Sequence, residues 1–172
     1  MGCHCSSTVG PSSYIHINSI ELSEKEYRAV AFSWQKVKLY GCDKVGAIIF
    51  KAIFKLAPET FDMFGFNSDP NWEESRRFKH HCKIVVNIIG SVVKLLTKPE
   101  TLEHHLHHLG LKHSVFQITP EHFDLLGQQW IGAFETVLGT TFSTDARNGW
   151  IKVYDIISHS IQKAMRDYRD EF

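Results

Sequence analysis

Two consecutive amphipathic stretches, residues 78–96 and 102–113, constrain the fold more than any other part of the chain. Apolar residues recur in both at spacings of three, four and seven, which places them on one face of an α-helix. Each apolar face also carries one histidine. The face of the first stretch holds His81 with Phe78, Val85, Ile88 and Val92, and that of the second holds His113 with Leu102, Leu106 and Leu109.

The two histidines are predicted to point into the protein. His80 shares its helical face with mostly polar residues, so that His81 faces the core and His80 faces water. A polar imidazole among apolar side chains needs a partner, because an unpaired polar group in a core costs free energy. For either histidine alone, a backbone carbonyl is a sufficient partner. Two such histidines on neighbouring helices also fit a shared ligand.

The rest of the chain carries signals for further helices. Ser23 and Glu26 form a capping box, and Thr119 followed by Pro120 is typical of another helix start. We find no alternating strand pattern and no internal repeat. The sequence therefore predicts an all-α fold of about seven to eight helices. Its domain covers residues 23–168, between a flexible N-terminal tether at 1–22 and a short tail at 169–172.

Charge and cysteine content exclude several classes of protein. Nineteen basic and nineteen acidic residues balance, so there is no electrostatic case for nucleic acid, or for binding anionic lipid by overall charge. No apolar run has the length of a membrane span. The four cysteines form no CxxC pair, which favours a reducing intracellular setting. A bond between Cys42 and Cys82 stays open.

The first six residues, Met-Gly-Cys-His-Cys-Ser, match the pattern for N-myristoylation. Gly2 is the predicted acceptor. One myristoyl chain holds a membrane only marginally, and Cys3 and Cys5 are available for palmitate as the second signal. We therefore expect an acylated anchor on the cytoplasmic face of a membrane, most simply the plasma membrane. The alternative is a chance match beside two incidental cysteines.

The chain resembles the globin family over roughly residues 23–166, and in particular the membrane-anchored globin X group and the neuroglobins. The matching positions are Ser33-Trp34, Gly46, Phe50, Pro58, Phe64, His81, Val85, the segment Leu109-Gly110-Leu111-Lys112-His113, Phe123, Trp150 and Tyr154. The acylatable Met1-Gly2-Cys3 start is similar to that of the globin X group.

This resemblance implies a globin fold that encloses non-covalent haem b. His113 is then the iron ligand, and His81 is the distal histidine and sixth ligand of the resting iron. The other ring nitrogen of His113 is expected to donate to a backbone carbonyl near Leu109. The other expected haem-contacting residues are Phe50, Phe64, Val85, Leu109, Lys112 and Tyr154.

Two positions depart from the family pattern. Ile84 stands where related globins often carry a basic residue three positions after the distal histidine, and Lys83 is one step away. Phe66 stands where neuroglobins carry a tyrosine. Lys112, and after it Lys83 or a nearby histidine, are the remaining candidates to contact the haem propionates.

The cluster His104, His105, His107 and His108 permits a second interpretation, a zinc site. His104 and His108 lie one helical turn apart, which is an acceptable ligand spacing. No cysteine and no third well-placed ligand accompanies them, so a solvated polar face is the favoured interpretation.

Three functions fit such a protein. The first is membrane-associated redox or reactive-species chemistry with nitrite, nitric oxide or peroxide, which includes nitrite reductase or nitric oxide dioxygenase activity and a redox partner protein. The second is reversible oxygen binding and storage, and the third is a haem-based sensor that signals to a partner. Six-coordination and a lipid anchor favour the first or third over storage. O2, CO and NO are the expected gaseous ligands.

Overall fold

Seven α-helices make up most of the part of the chain that the computed structural model describes, residues 15–17, 20–66 and 70–171. They are α1 (Glu24–Tyr40), α2 (Cys42–Leu56), α3 (Glu59–Met63), α4 (Arg76–Leu95), α5 (Pro99–His113), α6 (Pro120–Leu138) and α7 (Thr144–Glu171), with short 3-10 turns at Trp72–Glu74 and Gly139–Thr141. The prediction of an all-α fold is confirmed.

A short β-ribbon precedes the helices and lies at the end of the stretch 1–22. Strands β1 (Ile15–Ile17) and β2 (Ile20–Leu22) pair antiparallel, with Ile15 opposite Leu22. Leu22 is fully buried and β2 packs on α7 and α1. Regular structure is therefore present on both sides of the range 23–168, because β2 ends at Leu22 and α7 continues to Glu171. Each strand alternates apolar and polar residues over only three positions, which is too short to identify from sequence.

Helix starts follow the capping residues. Ser23 Oγ accepts from the Glu26 amide at 3.3 Å, and the Glu26 carboxylate accepts from the Ser23 amide at 2.7 Å, which forms the predicted capping box. The two histidine-bearing helices begin slightly earlier than their apolar stripes. Ser75 caps α4 through the Phe78 amide, and Pro99 occupies the first turn of α5.

Large aromatic side chains fill the part of the core where α1, α6 and α7 meet. Trp150 is fully buried, and its indole N–H donates to Ser33 Oγ at 2.8 Å. The rings of Trp34, Trp130 and Phe134 surround it, with centroids 6.2, 6.0 and 4.8 Å away. This hydrogen bond ties α1 to α7 and satisfies a polar group that would otherwise be buried without a partner.

Helices α2 and α4 cross in contact at Gly46. A Cβ atom at that position would lie 2.6 Å from the Cys82 carbonyl oxygen and 2.7 Å from Cys82 Cβ. Only glycine permits this approach without displacing backbone. Cys82 is the residue after His81, so this close crossing lies beside His81 on α4.

We expect Gly46→Ala to destabilise the protein by about 1–3 kcal/mol, because its methyl group overlaps the α4 backbone. The measurement is the free energy of unfolding in denaturant. Gly132→Ala is the matched control, since a Cβ at Gly132 meets nothing within 4 Å and alanine favours a helix. Equal stability of the two variants would contradict the close crossing.

Candidate functional site

A cavity of about 400 Å³ lies between the histidine-bearing helices α4 and α5 and is completed by residues of α2, α3, α6 and α7. Its lining is mostly apolar. Seven of the eight cofactor-contacting residues named from the sequence line it: Phe50, Phe64, His81, Val85, Leu109, His113 and Tyr154. Helical periodicity and the matching motifs therefore led to residues that the fold brings to one place.

His113 is held in a single tautomer at the end of α5. Its Nδ1 lies 2.8 Å from the carbonyl oxygen of Leu109, one turn earlier. A carbonyl only accepts, so Nδ1 carries the proton and Nε2 keeps a lone pair. The predicted hydrogen bond near Leu109 is confirmed. A neutral imidazole whose second nitrogen is oriented in this way has the form of a metal-ligating histidine.

His81 lies half-buried on the inner face of α4, as the periodicity predicts. The rings of Phe50 and Phe64 meet it edge-on, each with its centroid 4.9 Å away. Its imidazole makes no hydrogen bond to the residues that the structure describes. Burial lowers the pKa of His81 to about 4, and the charges of His113, His80 and Arg77 add to this effect. His81 is therefore neutral at physiological pH.

Two polar residues beyond those predicted from the sequence also lie on the lining. Arg77 and His80 are exposed, and they stand where the lining of the cavity reaches the surface. The Arg77 guanidinium lies 5.7 Å from the ring centroid of Phe66 and 3.5 Å from the Gly65 carbonyl oxygen. Arg77 is one helical turn before His81, so the same periodicity carried a signal for it.

The lysines expected to reach the cofactor lie elsewhere. Lys112 is exposed on α5 and is not part of the cavity lining, and Lys83 lies in a separate polar groove beside α2. Successive residues of an α-helix point in directions about 100° apart, so Lys112 and Lys83 can face solvent although residues beside them in the chain face inward. Phe66 is buried and stacks on Phe64 at 5.9 Å. Arg77 is therefore the better-placed cation.

The remaining polar candidates do not form a second metal site. All four histidines of the cluster on α5 are exposed, and no group of three or more metal-binding side chains occurs among the described residues. Cys42 and Cys82 are free thiols, and burial raises the pKa of Cys82 to about 12. No helix in the described ranges is long and apolar enough to cross a bilayer.

The shape and chemistry of the cavity fit a flat, largely apolar, metal-bearing group with acids at one edge. Aromatic and aliphatic side chains would cover its faces, the lone pair of the neutral His113 imidazole would bind the metal, and Arg77 would lie near the acids. An all-helical fold with such a site defines a haem-binding protein.

Comparison with known proteins specifies the class. The family model for Globin matches residues 47–161, which include both histidines, and the chain belongs to the globin family. It is 29% identical to the neuroglobin of Danio rerio over 143 residues, 80% of this chain and 88% of that protein. It is 27% identical to the neuroglobin of Tetraodon nigroviridis over 149 residues, 83% of this chain and 92% of that protein. Haem is accordingly its cofactor, and globins bind small gases such as O2.

Proposed function

We propose that this protein is a six-coordinate, lipid-anchored globin that acts in redox or reactive nitrogen and oxygen chemistry at a membrane. One observation carries the proposal: His81 and His113 line the same cavity from different helices, and each has a ring nitrogen that no described residue engages. Haem bound there supplies reversible ligand binding and one-electron chemistry.

Six-coordination is supported by the surroundings of His81. A sixth iron ligand needs a free ring nitrogen near the cofactor. The edge-on rings of Phe50 and Phe64 hold the His81 imidazole at the cavity. His113 lines the same cavity, and its charge adds to the burial that lowers the pKa of His81. We assign His113 as the proximal ligand and His81 as the sixth ligand.

Arg77 is the residue we assign to the haem propionates. It is the fully cationic side chain on the cavity lining, and arginine binds carboxylates through two parallel N–H donors. Its packing over Phe66 restrains the guanidinium beside the cavity.

Two features of this proposal support a redox role: His81 competes with external ligands for the iron, and the lipid anchor holds the protein at a membrane. A bound His81 lowers the observed affinity for an external ligand by the fraction of protein in which the site is open. Oxygen storage benefits from high affinity and free diffusion, whereas electron exchange with a membrane-associated partner benefits from a fixed position. Nitrite, nitric oxide and reactive oxygen species are the proposed reactants.

The absorption spectrum of the ferrous protein without external ligand tests this function. Sharp, split visible bands of low-spin haem are expected if both histidines bind iron. A broad high-spin band would overturn six-coordination, and it would make reversible oxygen binding the preferred function.

The proposed anchor depends on Gly2, with Cys3 and Cys5 as palmitate acceptors, and these residues lie outside the described part of the chain. We expect Gly2→Ala to move the protein from membranes to the soluble fraction of its native cells, because both the myristoyl chain and the membrane contact that permits palmitoylation are lost. Fractionation and labelling with a myristate analogue measure this. Gly10→Ala is the control, and a Gly2→Ala protein that stays on membranes would contradict the anchor.

A further inference from the structure

Helix α1 presents an outward face that combines large apolar and basic side chains. Exposed residues recur along it at spacings of three and four. Two large apolar side chains lie on it, since Phe32 is 62% exposed and Leu39 is 87% exposed. We call this surface the α1 outer face, and it consists of Lys25, Arg28, Phe32, the half-exposed Lys36, Leu39 and Tyr40, with the exposed Lys38 at its border.

The charge of the α1 outer face is strongly positive although the chain as a whole is neutral. Of the two glutamates in α1, Glu26 is buried and pairs with Lys152 of α7 at 2.8 Å. Glu24 pairs with Arg28 at 2.7 Å. Four cations therefore stand against one partly exposed carboxylate. Lys36 Nζ also lies 5.0 Å from the ring centroid of Phe32, so a cation and an aromatic ring are presented together.

We propose that the α1 outer face docks on an anionic lipid bilayer, an inference that rests on the lipid anchor proposed above. Helices that lie in a membrane interface have this composition, with lysine and arginine beside phenylalanine, leucine and tyrosine. Phe32 and Leu39 enter the boundary between headgroups and acyl chains. Lys36 and Lys38 bind the phosphate and carboxylate groups of the lipids.

The course of the chain supports a membrane as the occupant. Ile15 pairs with Leu22, two residues before α1 begins, so the segment that carries the acyl sites joins the domain at the N-terminal end of the α1 outer face. Helix α1 has 17 residues and is about 25 Å long. The segment before residue 15 can span up to roughly 45 Å when extended. Acyl chains at Gly2 and Cys3 can therefore enter the same bilayer on which α1 rests.

Vesicle co-sedimentation of the full-length haem protein, prepared without acylation, tests the α1 outer face directly. Wild-type protein is expected to bind vesicles of phosphatidylcholine mixed with phosphatidylserine, and to bind phosphatidylcholine alone far more weakly. Lys36→Glu/Lys38→Glu should lower binding roughly twenty-fold or more, because each cation near an anionic surface contributes about five-fold. Phe32→Ser should lower it roughly ten-fold.

Matched variants elsewhere on the surface exclude general effects of charge and hydropathy. Lys55→Glu/Lys94→Glu makes the same change in net charge at exposed positions of α2 and α4, and Val115→Ser removes an apolar side chain that is 70% exposed. Both should bind like wild type. Unchanged thermal unfolding and haem content confirm that each variant is folded.

Two outcomes would overturn the docking surface. One is the absence of wild-type binding to anionic vesicles, and the other is equal binding by the α1 variants and the control variants, which would leave a protein partner as the occupant. A separate result would reject the lipid anchor, namely that Gly2→Ala does not change localisation or myristate labelling in cells. Vesicle binding without acylation in cells would thus retain the docking surface and reject the anchor.

Discussion

Replacing His113 with alanine should leave a folded protein that retains little haem. The substitution removes the imidazole whose Nδ1 is tied to the Leu109 carbonyl and whose Nε2 is available to the metal. Apolar packing from residues such as Phe50 and Phe64 remains, but it does not replace an axial bond of the proximal type. The measurement is haem content per chain after gel filtration, together with the absorption spectrum.

The control for this variant is His108→Ala, which removes an exposed histidine from the same helix and should keep full haem content. Free imidazole added to the His113→Ala protein should restore binding, because the cavity retains space where the ring was removed. Normal haem retention and an unaltered spectrum in His113→Ala would assign the proximal ligand to another residue.

Replacing His81 with leucine should change the unliganded ferrous spectrum from the sharp split bands of low-spin haem to one broad high-spin band. Leucine keeps the apolar contacts with Phe50 and Phe64 and supplies no nitrogen to the metal. External carbon monoxide should then bind without waiting for a histidine to dissociate. Its apparent affinity should rise by the reciprocal of the open fraction of wild-type protein. Stopped-flow mixing and equilibrium titration measure both changes.

The neighbouring variant, His80→Leu, separates ligation from a general disturbance of α4. His80 is exposed and stands at the edge of the cavity, so its replacement should leave the low-spin spectrum in place. If His81→Leu and wild-type protein had the same ferrous spectrum, His81 would not be the sixth ligand.

Local sequence patterns were sufficient for the parts of this protein that depend on neighbouring residues. The capping box at Ser23, the inward face of His81 and the bond from His113 to Leu109 involve groups within one helical turn, and all three are present. Helical geometry relates such groups at fixed spacings, so they can be identified without knowledge of the rest of the fold.

Local patterns did not predict the cation at the cavity. Position relative to the histidines and to the family pattern favours Lys112 and Lys83, but neither lines the cavity. Arg77 does, because α4 begins at Arg76 and extends the inner face one turn before His81. The β-ribbon was missed for a related reason, since three-residue strands are stabilised by their pairing and by the burial of Leu22 rather than by local preference.

Local patterns in the sequence predict the helices, their inward faces and the hydrogen bond that orients the His113 imidazole. The packing of the helices places His81 and His113 on one cavity, brings Gly46 of α2 against Cys82, and sets which charged side chain borders the site. These features depend on contacts between residues far apart in the chain. Their distances depend on how whole helices pack, and helical periodicity carries no information about the spacing between two helices.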